Sequence, residues 1–190
     1  MVSYENQLRQ DLRLKIETYY QHLYNVPVEP GNRAFSALNF TSGFTTDSLV
    51  NTGTGRNYGV EFTLEKFFTN KYYFLITSSL YNALYTGSDG IERNSRYNGQ
   101  FVNNATFGKE FAVGRKGSNV IGVNLRLLWA GGNRYTPVNL ERSRQEGQAV
   151  YDDARSFTLQ APDYFRSDLR VSYRKISCGL RIPSHWIFRM

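Results

Sequence analysis

The chain has 190 residues, a formal net charge of +7, 15% aromatic residues and a mean hydropathy of −0.49. The aromatic content excludes a disordered chain, and no stretch approaches the roughly 18 consecutive apolar residues that a membrane helix needs. Cys178 is the single cysteine, which excludes an intrachain disulfide and a cysteine-based zinc site.

Six segments alternate between apolar and polar residues with a period of two, which is typical of β-strands. The first, around residues 12–20, also fits an amphipathic helix, so both alternatives stay open for that segment. The next five segments lie at about 56–67, 71–84, 100–111, 119–130 and 163–174. The pattern predicts an all-β fold, an antiparallel meander of about six long strands.

The connections between these segments alternate in length. Residues 25–55, 85–99 and 131–162 form long connections, whereas 68–70 and 112–118 form short ones. Loops longer than about 12–15 residues are uncommon in compact domains. Because successive antiparallel strands place their connections at opposite ends of the sheet, all three long loops are predicted to lie at one end.

In every segment except the fourth the apolar row is free of charge, and the charged residues fall on the opposite row. Long strands of this kind, joined by alternating short turns and long loops, are typical of a transmembrane β-barrel. A closed barrel pairs every backbone polar group inside the membrane. The residues predicted to face the lumen are Arg13, Lys15, Glu17, Glu61, Glu65, Arg126, Arg166, Asp168 and Arg170.

Aromatic residues collect near both ends of the predicted strands, as in the interfacial girdles of outer-membrane barrels. Six strands are too few to enclose a large polar lumen, so we expect a sector of a larger barrel. A soluble antiparallel sandwich is the alternative fold, although its strands are usually shorter. The predicted girdle residues are Tyr19, Tyr20, Tyr24, Tyr58, Tyr81, Tyr85, Trp129, Tyr164 and Phe165 at the long loops, and Phe67, Phe68, Tyr72, Tyr73, Phe111 and Tyr173 at the short turns.

Three stretches resemble the C-terminal barrel region of TonB-dependent outer-membrane receptors. They are Asn-Tyr-Gly-Val-Glu at 57–61 with Thr-Leu-Glu-Lys at 63–66, Gly-Gly-Asn-Arg-Tyr-Thr-Pro at 131–137, and Pro-Asp-Tyr-Phe-Arg-Ser-Asp-Leu at 162–169. The similarity covers about residues 8–175. The resemblance implies a 22-stranded barrel in the bacterial outer membrane, an N-terminal plug in its lumen, and substrate import driven by the TonB complex.

The resemblance divides the chain into a partial receptor barrel at 1–175 and an anomalous tail at 176–190. Neither a signal peptide nor a plug or TonB box is recognisable in the sequence. In the tail, Ile176, Cys178, Leu180 and Ile182 alternate. The tail is therefore interpreted either as a final edge strand or as the result of truncation or a frame shift.

The expected function is transport by a receptor whose partners are the rest of the barrel, its plug, the TonB complex and outer-membrane lipid. No catalytic constellation can be assembled from the sequence, so neither an enzyme nor a cofactor is expected. Asp152, Asp153 and Asp163 could ligate Ca²⁺, but solvated loop carboxylates are the commoner case. A smaller barrel acting as a pore or adhesin, and a soluble nucleic-acid-binding β domain suggested by the charge of +7, are the alternatives.

Overall fold

The computed structural model describes residues 1–31, 33–41, 48–114, 119–175 and 186–189. Within these ranges the helical pieces are short: α1, Leu140–Glu146, and the 3₁₀ turns Ala37–Asn39 and Asp153–Arg155. The strands are β1 Val2–Arg9, β2 Leu12–Val28, β3 Val50–Thr69, β4 Tyr72–Thr86, β5 Glu92–Asn94, β6 Phe101–Val113, β7 Asn119–Ala130, β8 Arg134–Tyr135, β9 Leu159–Gln160, β10 Tyr164–Lys175 and β11 Trp186–Arg189.

The protein is all-β, and its main sheet is an antiparallel meander in the order β1-β2-β3-β4-β6-β7-β10-β11, with β5 also paired to β4. All six predicted segments are strands, which confirms the meander. The helical alternative for the first segment is wrong, because β2 pairs along its length with β3. The sequence analysis missed β1, which pairs with the first half of β2.

The long and short connections lie at opposite ends of the sheet, as predicted. The first long connection is shorter than expected, because β2 continues to Val28 and β3 begins at Val50. At the other end β3 and β4 are joined by Asn70 and Lys71, which have φ angles of 53° and 67°. Two consecutive positive φ angles define a type I′ turn, whose twist matches that of the flanking strands.

The strand register places the apolar and polar rows on opposite faces of one sheet. Leu14, Leu64 and Ile76 are successive cross-strand neighbours on one face, which we call the apolar face. Glu17, Glu61 and Ser79 are successive neighbours on the other, which we call the polar face. Side chains alternate between faces because the strand repeat is two residues.

Among the described residues, the buried apolar side chains lie near the long loops, at Val26, Val28, Ala34 and Tyr85. The apolar face has no such cover. Leu80, Trp129 and Phe165, all on that face, are 61%, 49% and 64% exposed. In the described part of the chain, the sheet packs no second layer against its apolar face.

The end of the chain adds a short strand to the sheet. Four residues of β10, Arg170–Tyr173, pair with β11 in antiparallel register. The predicted alternation at Ile176, Cys178, Leu180 and Ile182 lies outside the described residues. No helix in the described ranges has the length and apolar character needed to cross a membrane.

Candidate functional site

All nine residues predicted to face a lumen lie on the polar face. The ladder brings several of them into direct cross-strand pairs: Arg13 is opposite Glu65, Glu17 is opposite Glu61, and Asp168 is opposite Arg126. Lys15, Arg166 and Arg170 are opposite Thr63, Leu128 and Asn124. The period of two therefore predicted the shared face of these residues from the sequence.

The first half of the polar face, on β1 to β3, is a lattice of ion pairs. An Arg13 guanidinium nitrogen lies 2.6 Å from Glu65 Oε2, and another lies 3.5 Å from Glu5 Oε1. Lys15 Nζ lies 2.8 Å from Glu17 Oε2. The two cations, Arg13 and Lys15, stand against four carboxylates, Glu5, Glu17, Glu61 and Glu65, so this half of the face keeps a net negative charge.

The second half of the polar face, on β7 and β10, carries more arginine than acid. Arg166 lies 2.8 Å from Asp168, which is also directly opposite Arg126. Arg126 and Arg170 are exposed, and neither has a salt bridge to another residue in the described ranges. This half of the face therefore presents positive charge to whatever lies in front of it.

The polar face also contains a tyrosine that lies flat across a neighbouring strand. The Tyr73 hydroxyl donates a 2.9 Å hydrogen bond to Asn124 Oδ1, two strands away. Its ring passes over Gly108, where a Cβ atom would lie 2.0 Å from a ring carbon. A larger residue at this position would therefore have to displace the Tyr73 ring.

On the apolar face, charged side chains in the described strands are confined to the ends. Lys66, near the short turns, donates a hydrogen bond to Asp11 and lies 4.5 Å from the centre of the Tyr72 ring. Near the long loops, Arg56 lies 2.7 Å from Glu92. Between these ends the polar residues Ser78 and Asn103 are direct neighbours, and the Ser78 hydroxyl donates to Asn103 Oδ1 at 2.7 Å.

The predicted aromatic girdles divide between the two faces. The exposed aromatics of the apolar face include Tyr20, Tyr58, Trp129 and Phe165 at the loop end and Tyr72, Phe111 and Tyr173 at the turn end. Tyr19, Tyr73, Tyr81, Tyr85 and Tyr164 instead lie on the polar face. A position near a strand end was therefore not enough to predict which aromatics share a face, because side chains alternate between the two faces along each strand.

The long loops fold back over the polar face at one end of the sheet. A Cβ atom on Gly55 would lie 2.8 Å from Leu38 of the first long loop. The Tyr85 ring, 1% exposed, packs edge-on against Phe157 of the third loop at 5.9 Å between ring centres. Asn98 of the second loop is fully buried, and its Oδ1 accepts a hydrogen bond from the Ala83 backbone.

Between the first and third long loops lies a cavity of about 1070 Å³, which we call the loop cavity. Its wall is mainly apolar and aromatic. The residues that form this apolar wall include Phe35, Phe40, Tyr135, Val138, Tyr151 and Leu159. Binding pockets commonly combine such walls with a few polar groups that orient the ligand.

Arg96 and Asn39 are adjacent polar residues of the loop cavity. The Arg96 backbone N–H donates to Asn39 Oδ1 at 2.8 Å, and the Arg96 carbonyl accepts a 2.8 Å bond from the Arg134 backbone. Asn39 is 8% exposed, and its Nδ2 has no acceptor among the described residues. The sequence analysis missed both residues, since irregular loops carry no periodic signal.

Ion pairs brace the loops around the cavity. Asp89 and Arg93 lie 2.7 Å apart with side chains only 7% and 8% exposed. The hydrogen bond from Arg93 holds the pKa of the Asp89 carboxyl below its usual value, although burial opposes this shift. In the third loop, hydrogen bonding from Arg155 likewise lowers the pKa of Asp152.

The three carboxylates considered for Ca²⁺ have separate environments. Asp152 pairs with Arg155, Asp153 belongs to the 3₁₀ turn, and Asp163 accepts a 3.3 Å hydrogen bond from Trp129 Nε1. Within the described ranges, no group of three or more His, Cys, Asp or Glu side chains could hold a metal ion. The loop cavity is thus the candidate site that the described residues support best.

The chain was compared with protein-family models, with curated proteins and with solved structures, and none of the three comparisons found a match.

Proposed function

We propose that the chain is a sector of the barrel of a TonB-dependent outer-membrane receptor and takes part in substrate import. The observation that carries this proposal is the uncovered apolar face, which is free of charge between its ends. In water such a face would be covered by a second layer or broken by charged side chains. In a bilayer it is the surface that acyl chains require.

The dimensions of the charge-free band support a membrane position. Arg56 and Lys66 bound the band on β3 and lie about 34 Å apart at the usual rise of about 3.4 Å per residue. At a strand tilt of about 45°, this length spans roughly 24 Å of depth, close to the ~25 Å apolar band of outer-membrane barrels. The hydrogen bond between Ser78 and Asn103 satisfies both side chains within this band.

The polar face and its loops support a receptor over a smaller barrel. The resemblance noted in the sequence covers the two segments that lead into β8 and β10, and the loop cavity lies in the same loops. In this proposal the charged polar face lines the lumen and faces a plug. The long loops lie outside the cell, where the cavity receives the substrate, and the TonB complex supplies energy through the plug-bearing part of the receptor.

The membrane proposal is tested by the behaviour of the isolated chain in water and in detergent. We expect aggregation in water, because the apolar face and the edge strands are uncovered, and a dispersed species in detergent. Sedimentation velocity distinguishes these results. A monodisperse detergent-free monomer contradicts the proposal, and salt-sensitive binding to single-stranded nucleic acid would instead support the soluble alternative.

The receptor proposal is tested separately by sequencing the DNA on both sides of the reading frame. A plug domain encoded immediately upstream supports a TonB-dependent receptor. A pore or adhesin is supported instead if the upstream DNA encodes a complete unrelated gene and the reading frame of this chain is only long enough for a small barrel.

A further inference from the structure

The loop cavity carries an inference about the class of molecule that enters it. Building on the proposed function, we propose that the cavity binds a molecule with an apolar body and a carboxylate group, and that Arg96 and Asn39 hold the carboxylate. The chemistry would be met either by a free organic acid or by the C-terminus of a peptide. The following contacts lead to this assignment.

The Arg96 guanidinium forms few hydrogen bonds with the described residues. A guanidinium has five N–H donors. In the described ranges, the Arg96 head group makes a long hydrogen bond of 3.5 Å to Thr41 and lies 5.9 Å from the centre of the Phe157 ring. No carboxylate of the described residues forms a salt bridge with it. An arginine fork of this kind matches the two oxygens of a carboxylate.

Asn39 supplies a second donor beside Arg96. Its Oδ1 is already used by the Arg96 backbone N–H, which fixes the orientation of the amide. Its buried Nδ2 has no acceptor in the described part of the chain, and an unsatisfied buried donor is costly. A ligand carboxylate beside Arg96 would give Nδ2 the acceptor that the described residues do not supply.

The exposed apolar residues of the cavity wall indicate that the ligand has an apolar body. Tyr135, Tyr151 and Leu159 line the cavity and are 49%, 57% and 43% exposed, so apolar surface is available to a ligand. Rings and aliphatic groups would gain by covering this surface. The volume of about 1070 Å³ accommodates a drug-sized molecule.

The other charges of the cavity confine the preference for a carboxylate to one end. Glu29 and Arg33 lie 3.7 Å apart and largely neutralise each other. Asp153 also lines the cavity and is exposed. The cavity as a whole is therefore close to neutral, and local hydrogen bonding at Arg96, rather than a general positive field, selects the carboxylate.

The test measures binding of a matched pair of probes to the full chain in phospholipid vesicles. The probes are 3-phenylpropionate and its neutral amide, 3-phenylpropionamide. Binding of each probe is measured by titration with saturation-transfer NMR. We expect the carboxylate to bind about tenfold more tightly than the amide, since it is charged and accepts from two donors. Equal affinities, or no binding of either probe, would overturn the assignment.

A second probe pair distinguishes the two sources of the carboxylate. The dipeptide Ala-Phe is compared with its C-terminal amide under the same conditions. A free-acid dipeptide that binds more tightly than 3-phenylpropionate identifies peptides as the ligand, and weaker binding identifies a free organic acid. A dipeptide that binds no better than its amide argues against recognition of the carboxylate.

Two variants assign the effect to the proposed residues. Asn39→Asp keeps the Oδ1 acceptor for Arg96 but replaces the amide donor by a carboxylate oxygen, and Arg96→Gln removes the guanidinium. Both should lose the preference for the carboxylate probe while still binding the amide. Arg142→Gln, in an exposed pair with Glu146, is the control and should retain the preference. A preference that survives both cavity variants overturns the assignment.

Protease protection measures membrane assembly in the same samples. The barrel proposal and the ligand proposal can therefore be rejected independently of each other. Equal binding of acid and amide by an assembled chain rejects the ligand class and leaves the barrel proposal intact. Selective carboxylate binding by a chain that stays soluble without lipid retains the ligand class and rejects the barrel.

Discussion

The two faces of the sheet share one backbone but differ in what covers them. The polar face contains an ion-pair lattice on β1 to β3 and is covered at one end by loops that bury Tyr85. The apolar face presents half-exposed side chains such as Leu169 and Val171 to its surroundings. Hydrophobicity alone therefore does not mark the interior of this protein, and the two faces are adapted to two different surroundings.

The largest expected effect comes from placing a charge on the apolar face at the centre of β7. Leu125 lies on the apolar face and Arg126 on the polar face. We expect Leu125→Arg to destabilise the membrane-inserted state by about 2–4 kcal/mol, the usual cost of a lipid-facing arginine at the bilayer midplane. The measurement is the protease-protected fraction of the chain in phospholipid vesicles, which should fall sharply if the apolar face contacts lipid as proposed.

Arg126→Leu is the matched control, since it changes the same strand by one residue position. Arg126 is exposed and has no salt bridge to the other described residues, so its loss should change stability by no more than about 0.5 kcal/mol. If both variants assemble equally well, the faces have been assigned to the wrong surroundings.

A smaller effect is expected where the loops cover the polar face. The pKa of Asp89 is lowered in the folded state by Arg93, so their pair stabilises the fold at pH values above the unfolded pKa of about 3.9. This contribution is lost as the pH falls through the folded pKa. Its size should be about 1.5–3 kcal/mol, as for a hydrogen bond to a charged group.

Hydrogen-exchange protection of residues 87–99 measures this loss when it is compared at pH 6 and pH 2.5. Arg93→Leu should reduce the protection already at pH 6. Arg142→Leu is the control, because its salt bridge with Glu146 is exposed and should contribute little. Protection that is independent of pH, with Arg93 intact, would show that the buried pair does not brace the loop.

The sheet could be predicted from the sequence because the alternation of apolar and polar residues marks both where the strands lie and which face each residue occupies. The same signal was present in β1, where Val2, Tyr4 and Leu8 alternate with polar residues, but Asn6 interrupts the apolar row. The loop cavity could not be predicted in this way. Asn39 and Arg96 are 57 residues apart in sequence and meet through a hydrogen bond from the Arg96 backbone N–H to the Asn39 side chain, and no local pattern encodes such a contact.

The smallest effect tests how tightly each face is packed, by adding methyl groups to opposite sides of β6. Gly108→Ala places a Cβ atom where the Tyr73 ring lies, and the hydrogen bond from Tyr73 to Asn124 holds that ring in place. We expect a loss of about 1 kcal/mol, at the lower end of overpacking, because the ring can yield part of the distance. The loss is measured as a change in the free energy of unfolding of the chain in detergent.

Ala105→Val enlarges a residue on the apolar face of the same strand and serves as the comparison. Ala105 is flanked across the sheet by Ile76 and Leu127, and β-branched residues suit such a surface. Its change should lie within about 0.5 kcal/mol of zero. A second variant, Tyr73→Leu in the Gly108→Ala background, should recover part of the loss, because it removes the ring that the new methyl group meets. A larger loss from Ala105→Val than from Gly108→Ala would show that the apolar face, rather than the polar face, is the closely packed side of the sheet.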